Sequence, residues 1–172
     1  MINKNFGSGY VKNGANDKVY TPEHIAKKII DLYNINGLIL DASSGKNKVF
    51  YNNYPKDCKK DWCEIELGKD FFNYNKKVDW IITNPPYSIF DEFLKHSQEL
   101  SDNIVFLIPL SKAVSSMKRI RTILKYGNIV SIDLIPASKC GFPFGFPACS
   151  FYIKKGYKGN TKIKELYNKY NE

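Results

Sequence analysis

Histidine and methionine are scarce in this sequence, with two of each, and the four cysteines (Cys58, Cys63, Cys140, Cys149) form no C-x-x-C pair. Only His24 and His96 could join those cysteines at a zinc site, so the spacing argues against a metal centre, and none is expected. Scattered cysteines also fit a reduced, cytoplasmic protein better than a disulfide scaffold. No stretch approaches the ~20 apolar residues of a membrane span, so no membrane partner is expected. Residues 1–18 lack an apolar centre and do not read as a secretory signal. Acidic residues are outnumbered, 17 against 26 lysines and arginines, and the net charge of +9 favours a polyanionic partner. No internal repeat and no linker divides the chain.

The 172 residues suffice for one core, and their 43% hydrophobic content is ordinary for a globular protein. Residues 1–18, with Gly7, Gly9 and Gly14 and no apolar period, read as a flexible basic arm, and 19–172 as a single domain. Thr21-Pro22-Glu23 reads as a helix start: a capping hydroxyl, a proline and an acid at the positive end of the dipole. Ile25, Ile29, Ile30 and Tyr33 continue it for about three turns. Leu38-Ile39-Leu40 is a buried strand running through Asp41 into the small polar residues 42–47. A second strand is expected at Trp62-Cys63-Glu64-Ile65, followed by the turn Gly68-Lys69-Asp70-Phe71-Phe72. Little room then remains for a helix before Val78.

Within Val78 to Ser88, the apolar run Trp80-Ile81-Ile82-Thr83 is of strand length and stops at Asn84-Pro85-Pro86-Tyr87. Two successive prolines give a sheet no N–H and disfavour helix in the residue before each of them. The chain therefore leaves as a rigid turn displaying Asn84 and Tyr87. Ser88 and Asp91 suggest a capping box for a helix to about Leu100. Ile104–Ile108 is a strand buried on both faces. Val114 to Tyr126 reads as a basic helix stopped by Gly127, and Ile129–Ile135 as another strand. Lys139 to Pro147 is a Gly/Pro/Phe loop, Cys149–Ile153 a returning strand, and Lys162–Tyr170 a basic, helical tail. Alternating strands and helices imply an α/β fold with a doubly wound, mostly parallel sheet and an antiparallel edge hairpin.

These features in this order resemble the amino-group methyltransferases that use S-adenosylmethionine, most closely the adenine-N6 DNA enzymes of bacteria and phages. The resemblance implies a Rossmann-like methyltransferase fold. Asn84-Pro85-Pro86-Tyr87 looks like the family's catalytic tetrapeptide. Tyr20-Thr21-Pro22 resembles the segment beside the methionine part of the cofactor. Asp41 to Gly45, including Ser43, resembles the loop after the first strand. Glu64 is placed like the acid on the ribose hydroxyls, about twenty residues beyond that strand. Asp70-Phe71 resembles the pair that meets the cofactor adenine. Phe144 or Phe146 matches a late phenylalanine that packs on the target base opposite Tyr87. His24 and His96 read as surface or satisfied residues.

The chemistry suits these residue types. The lone pair of an adenine amine is delocalised into the ring. Two acceptors aimed at its hydrogens, Asn84 Oδ1 and the Pro85 carbonyl, would localise it toward an incoming methyl group. Tyr87 offers a face for stacking the base, worth ~1–3 kcal/mol. A duplex target would first have to be flipped out.

Two departures from the family stand out. Asn47 and Lys48 occupy the place of a second glycine, and of the two Asn47 better tolerates left-handed backbone. No target-recognition domain is expected within these 172 residues, so recognition is expected to use short loops, the arm, self-association or a partner protein. RNA adenine and protein glutamine methylation remain open, as does a degenerate nucleic-acid-binding or regulatory subunit.

Overall fold

The computed structural model describes residues 19–142 and 145–167. The expected arm and Phe144 lie outside that range. The described residues build seven strands: β1 (Leu38–Asp41), β2 (Lys59–Trp62), β3 (Val78–Thr83), β4 (Ser101–Pro109), β5 (Gly127–Ile135), β6 (Ala148–Lys155) and β7 (Lys162–Glu165). Along the central strands nearly every residue is apolar, because successive side chains point to opposite faces and both faces are covered. On β3, Trp80 and Ile82 enter one core while Ile81 enters the other, and on β4 Val105 and Leu107 alternate with Ile104, Phe106 and Ile108. The first core is closed by α1 (Glu23–Ile30) and α2 (Val49–Asn53), and the second by α3 (Phe90–Leu100) and α5 (Met117–Tyr126). Burying each large side chain contributes about 1.5–3 kcal/mol.

The sheet order is β2-β1-β3-β4-β6-β5-β7. β1 pairs parallel with both β2 and β3, β3 with β4, and β5 with β7, while β6 runs antiparallel between β4 and β5. The chain moves outward from β1 to β2, then returns past β1 to β3. The strand order thus reverses between β1 and β3, and at such a switch point the loops leaving the carboxyl ends of the strands splay apart to form a crevice. Those two loops are residues 42–48 and Asn84–Tyr87.

Several elements differ from the sequence expectations. β2 ends at Trp62 rather than beginning there, because Glu64 caps a 3-10 turn (Ile65–Leu67) by accepting a hydrogen bond from Glu66 N. This turn and a second one (Phe71–Asn73) stand where a helix would join β2 to β3. α1 spans 8 residues, about two turns, and its N-cap is Pro22, without a side-chain capping bond. The expected capping box at Ser88 and Asp91 is replaced by a 3-10 turn (Tyr87–Ile89), with Ile89 as N-cap of α3. The basic helix is broken into α4 (Leu110–Val114) and α5, because the Ser116 hydroxyl accepts from Arg119 N and starts a new helix. A short α6 (Ala137–Cys140) opens the loop to β6. The β5–β6 hairpin is antiparallel as expected but lies inside the sheet. The tail at Lys162–Glu165 is not helical: it adds β7 to β5 and covers that edge. No helix among the described residues is long and apolar enough to cross a membrane.

Candidate active site

The loop after β1 is organised from beneath by Asp41. This residue is fully buried, and its Oδ1 accepts from the Thr83 hydroxyl at 2.7 Å while Oδ2 accepts from Tyr51 N at 3.2 Å. Thr83 Oγ1 in turn accepts from Ser43 N at 3.1 Å. The last side chain of β3 therefore ties the first loop to the root of the Asn84–Tyr87 turn. Burial pushes the Asp41 carboxyl up to about 7, opposed by the bonds from Thr83 and the backbone and reinforced by the charge of Glu64. With both oxygens engaged inside the protein, Asp41 acts on any ligand through the loops it holds.

Above Asp41 the backbone turns left-handed twice, at Gly45 (φ 61°) and at Lys48 (φ 49°). The strained position is thus Lys48, not Asn47. For a side-chain-bearing residue it costs roughly 1–2 kcal/mol. The Lys48 ammonium lies 3.4 Å from the centroid of the Trp62 ring, which also carries Lys69 at 4.0 Å. A cation–π contact of ~0.5–1 kcal/mol offsets part of that strain. Glu64 closes the loop: Oε2 accepts from Gly45 N at 2.8 Å and Oε1 from Glu66 N at 3.1 Å. Asp70 Oδ1 accepts from Phe72 N at 3.0 Å, which fixes the next turn. The Phe71 ring is buried, 4.3 Å from Phe93 and 4.8 Å from His96 between centroids. It belongs to the core, and its carbonyl accepts from Tyr74 N and His96 Nε2.

The proline turn is held just as firmly. Asn84 Nδ2 donates to the Val19 carbonyl at 3.0 Å and to Thr21 Oγ1 at 3.2 Å. A carbonyl can only accept, so this contact assigns the amide nitrogen to that side. Oδ1 then faces the opposite way, where the Tyr87 hydroxyl donates to it at 2.9 Å. Thr21 therefore orients Asn84 instead of capping α1. Pro85 is buried, and its carbonyl sits in the tertiary amide with Pro86, so its direction is fixed by the two rings. The Tyr87 carbonyl accepts from Lys112 Nζ at 3.1 Å.

The Gly/Pro/Phe loop returns to the same end of the sheet. The His24 ring nitrogen Nε2 donates to the Lys139 carbonyl at 3.2 Å. A Cβ on Gly141 would stand 3.7 Å from Pro22, and Leu110 N donates to the Pro147 carbonyl at 3.0 Å. Phe142 is buried, whereas Phe146 is 47% exposed. Tyr20, 59% exposed, lies beside Thr21 and Pro22 at the mouth. His96 Nε2 donates to the Phe71 and Tyr74 carbonyls, so it is a satisfied structural residue. Among the described residues no three His, Cys, Asp or Glu side chains are grouped to hold a metal ion.

Thr83 and Lys112 were not legible as site residues. Thr83 reads as the last member of an apolar run, and Lys112 as one lysine among many. What the turns present together is an acceptor amide locked in one orientation, an aromatic face, and two acidic turns beside a glycine loop.

No family model matches the sequence, and no curated protein matches it. Solved structures do resemble the fold. One is a Listeria monocytogenes protein assigned to the class I S-adenosylmethionine-dependent methyltransferases, with TM-score 0.70 at 13% identity over 91% of this chain and 69% of its own. Another comes from a type I restriction–modification system, with TM-score 0.62 at 14% identity over 90% of this chain and 46% of the other. A third is a protein from Pyrococcus horikoshii assigned as an RNA methyltransferase, with TM-score 0.56 at 17% identity over 80% and 86% of the two chains. At such identities the likeness establishes the fold: an α/β, Rossmann-like methyltransferase architecture. This chain spans less than half of the restriction–modification protein.

Proposed function

We propose that this chain transfers a methyl group from S-adenosylmethionine to the exocyclic N6 amine of adenine, in DNA. The observation that carries the reading is the Asn84 amide, whose nitrogen is bound to Val19 and Thr21 so that Oδ1 is presented as an acceptor at the switch point. An sp² oxygen has two acceptor sites, so an amine N–H joins the Tyr87 hydroxyl there without displacing it. The Pro85 carbonyl takes the second amine hydrogen. Together they draw the lone pair out of the ring and aim it at the methyl donor. Tyr87 and Phe146 stack the base from either side.

The residues present suit the cofactor. The space before Gly45 is open, with no described residue within 4 Å of where a Cβ would stand. Ser43 and Gly45 line the loop, Glu64 offers a carboxylate for ribose hydroxyls, and Asp70 with the Phe71 N–H fits an adenine edge. Tyr20, Thr21 and Pro22 flank the methionine end, and Asp41 supports the loop from below. When bound, S-adenosylmethionine supplies a methyl already activated on a sulfonium, so the protein's share is orientation and exclusion of water. The net charge of +9 supports a polyanionic substrate, with self-association or a partner protein adding sequence recognition. A reduced cytoplasmic setting belongs to the same reading, and the four cysteines are free. A second reading, a silent nucleic-acid-binding module, is favoured by Lys48, a side-chain-bearing residue at a left-handed position that suits glycine.

Labelled S-adenosylmethionine offered in parallel to unmethylated DNA, RNA and a protein extract tests this. Label in DNA adenine, abolished by Asn84→Ala, supports the proposal. Label in RNA or in glutamine would reassign the substrate, and cofactor binding without any transfer would favour the silent module.

A further inference from the structure

Two consecutive prolines leave the turn after β3 without backbone donors at positions 85 and 86, so it cannot be fixed by a backbone ladder of its own. Other parts of the chain have to hold it. Thr83 and Asp41 secure its root, and Val19 with Thr21 secure Asn84. The far side, where Tyr87 leaves the turn, is reached by Lys112 on α4.

We infer that Lys112 is a positioning residue that sets the backbone, and hence the ring, of Tyr87. Its ammonium donates to the Tyr87 carbonyl at 3.1 Å, a charge-assisted bond from a half-buried side chain. α4 is itself anchored. The Lys112 carbonyl accepts from Arg119 Nη1, and Arg119, only 7% exposed, places Nε 2.6 Å from Asp91 Oδ1 on α3. Leu110, at the start of α4, donates to the Pro147 carbonyl of the loop that carries Phe146. Five residues of helix therefore connect the two aromatic groups proposed to sandwich the base. Lys112 transmits the spacing between them to Tyr87. A lysine suits this role because a long stem spans the gap and an ammonium donates without a fixed plane.

The role in turnover rests on the proposed methyl transfer, whereas the clamp itself does not, and the test separates them. Hydrogen exchange of the peptide covering Tyr87–Phe90 is compared in the wild type, Lys112→Met and Lys112→Arg. Removing the bond is expected to speed exchange there by about tenfold or more, with Lys112→Arg close to wild type. Unchanged exchange in Lys112→Met overturns the clamp, whether or not the protein proves to be a methyltransferase.

Turnover is then measured on the substrate that accepts label. Lys112→Met is expected to lower kcat by about tenfold or more while the Kd for S-adenosylmethionine stays within about twofold, and Lys112→Arg to recover most of kcat. Lys118→Met, on the exposed face of α5, serves as the control with unchanged kcat. A Lys112→Met enzyme with full kcat, or with kcat and cofactor affinity falling together, overturns the positioning role. If the wild type transfers no methyl group to any substrate, the proposed function fails and the exchange experiment still decides the clamp.

Discussion

Replacing Asp41 with asparagine isolates what it costs to bury a carboxylate between the two loops of the switch point. The folded protein holds this group at about 7, against an ordinary value of 3.8, because burial disfavours its charge. Between those two values the folded chain binds a proton that the unfolded chain has released. Stability therefore falls as pH rises through that window, by ~1.4 kcal/mol per unit, and is flat above it. From about pH 5 to about pH 8 the wild type should lose roughly 3 kcal/mol from this group alone. The asparagine variant has no such proton. Its amide oxygen can accept from Tyr51 N and its nitrogen can donate to Thr83 Oγ1, so the fold is retained with a small offset that does not depend on pH.

Urea unfolding of both proteins across that range gives the difference in their stabilities, in which other titrating groups cancel. That difference should shift by about 3 kcal/mol in favour of the variant between the ends of the range. Two curves that stay parallel would show Asp41 to be ionised at an ordinary pKa. The bonds from Thr83 and Tyr51 N would then outweigh the burial of the carboxylate.

Other consequences are as direct. Thr21→Val removes an acceptor from the Asn84 amide, and at saturating cofactor it should lower methyl transfer by about tenfold, with Thr21→Ser restoring it; equal activity of the valine and serine variants would return Thr21 to a role in starting the helix. Tyr87→Ala should reduce turnover by ~10- to 100-fold through lost stacking while calorimetric cofactor affinity is unchanged. Lys48→Gly relieves a left-handed strain and loses a cation–π contact, so thermal stability should change by less than ~1 kcal/mol. Its cofactor Kd, followed by titration, should tighten as the loop opens; a weaker Kd would show that the lysine assists binding.

How much of this was legible in the sequence depended on burial. β1, β3, β4 and β6 carry apolar runs where both faces are covered, and each was recognisable as a strand. β2 (Lys-Lys-Asp-Trp) and β7 (Lys-Ile-Lys-Glu) lie at the two edges, where solvent reaches the side chains and no apolar pattern arises. The second was mistaken for a helix because its lysines suit either structure. The break between α4 and α5 depends on one hydroxyl, Ser116, inside a run that reads as continuous helix.

At the site, the prolines announced the turn at Asn84 through local chemistry alone. The partners that hold it were invisible, since Thr83 meets Asp41 and Lys112 meets Tyr87 only after the sheet has brought distant segments together. The same holds for Phe71, whose place beside Asp70 resembles a cofactor-adenine contact but whose ring the fold consumes in its core.

The central claim is that a locked Asn84 acceptor delivers an adenine amine to a methyl donor. It is tested most directly by incubating the purified chain with S-adenosylmethionine carrying a deuterated methyl group and unmethylated duplex DNA, then analysing the hydrolysed nucleosides by mass spectrometry. The expected product is N6-methyldeoxyadenosine bearing the deuterated methyl, present with the wild type and absent with Asn84→Ala. Deuterated methyl on a cytosine carbon, or N6-methyldeoxyadenosine formed equally by the Asn84→Ala protein, would contradict it.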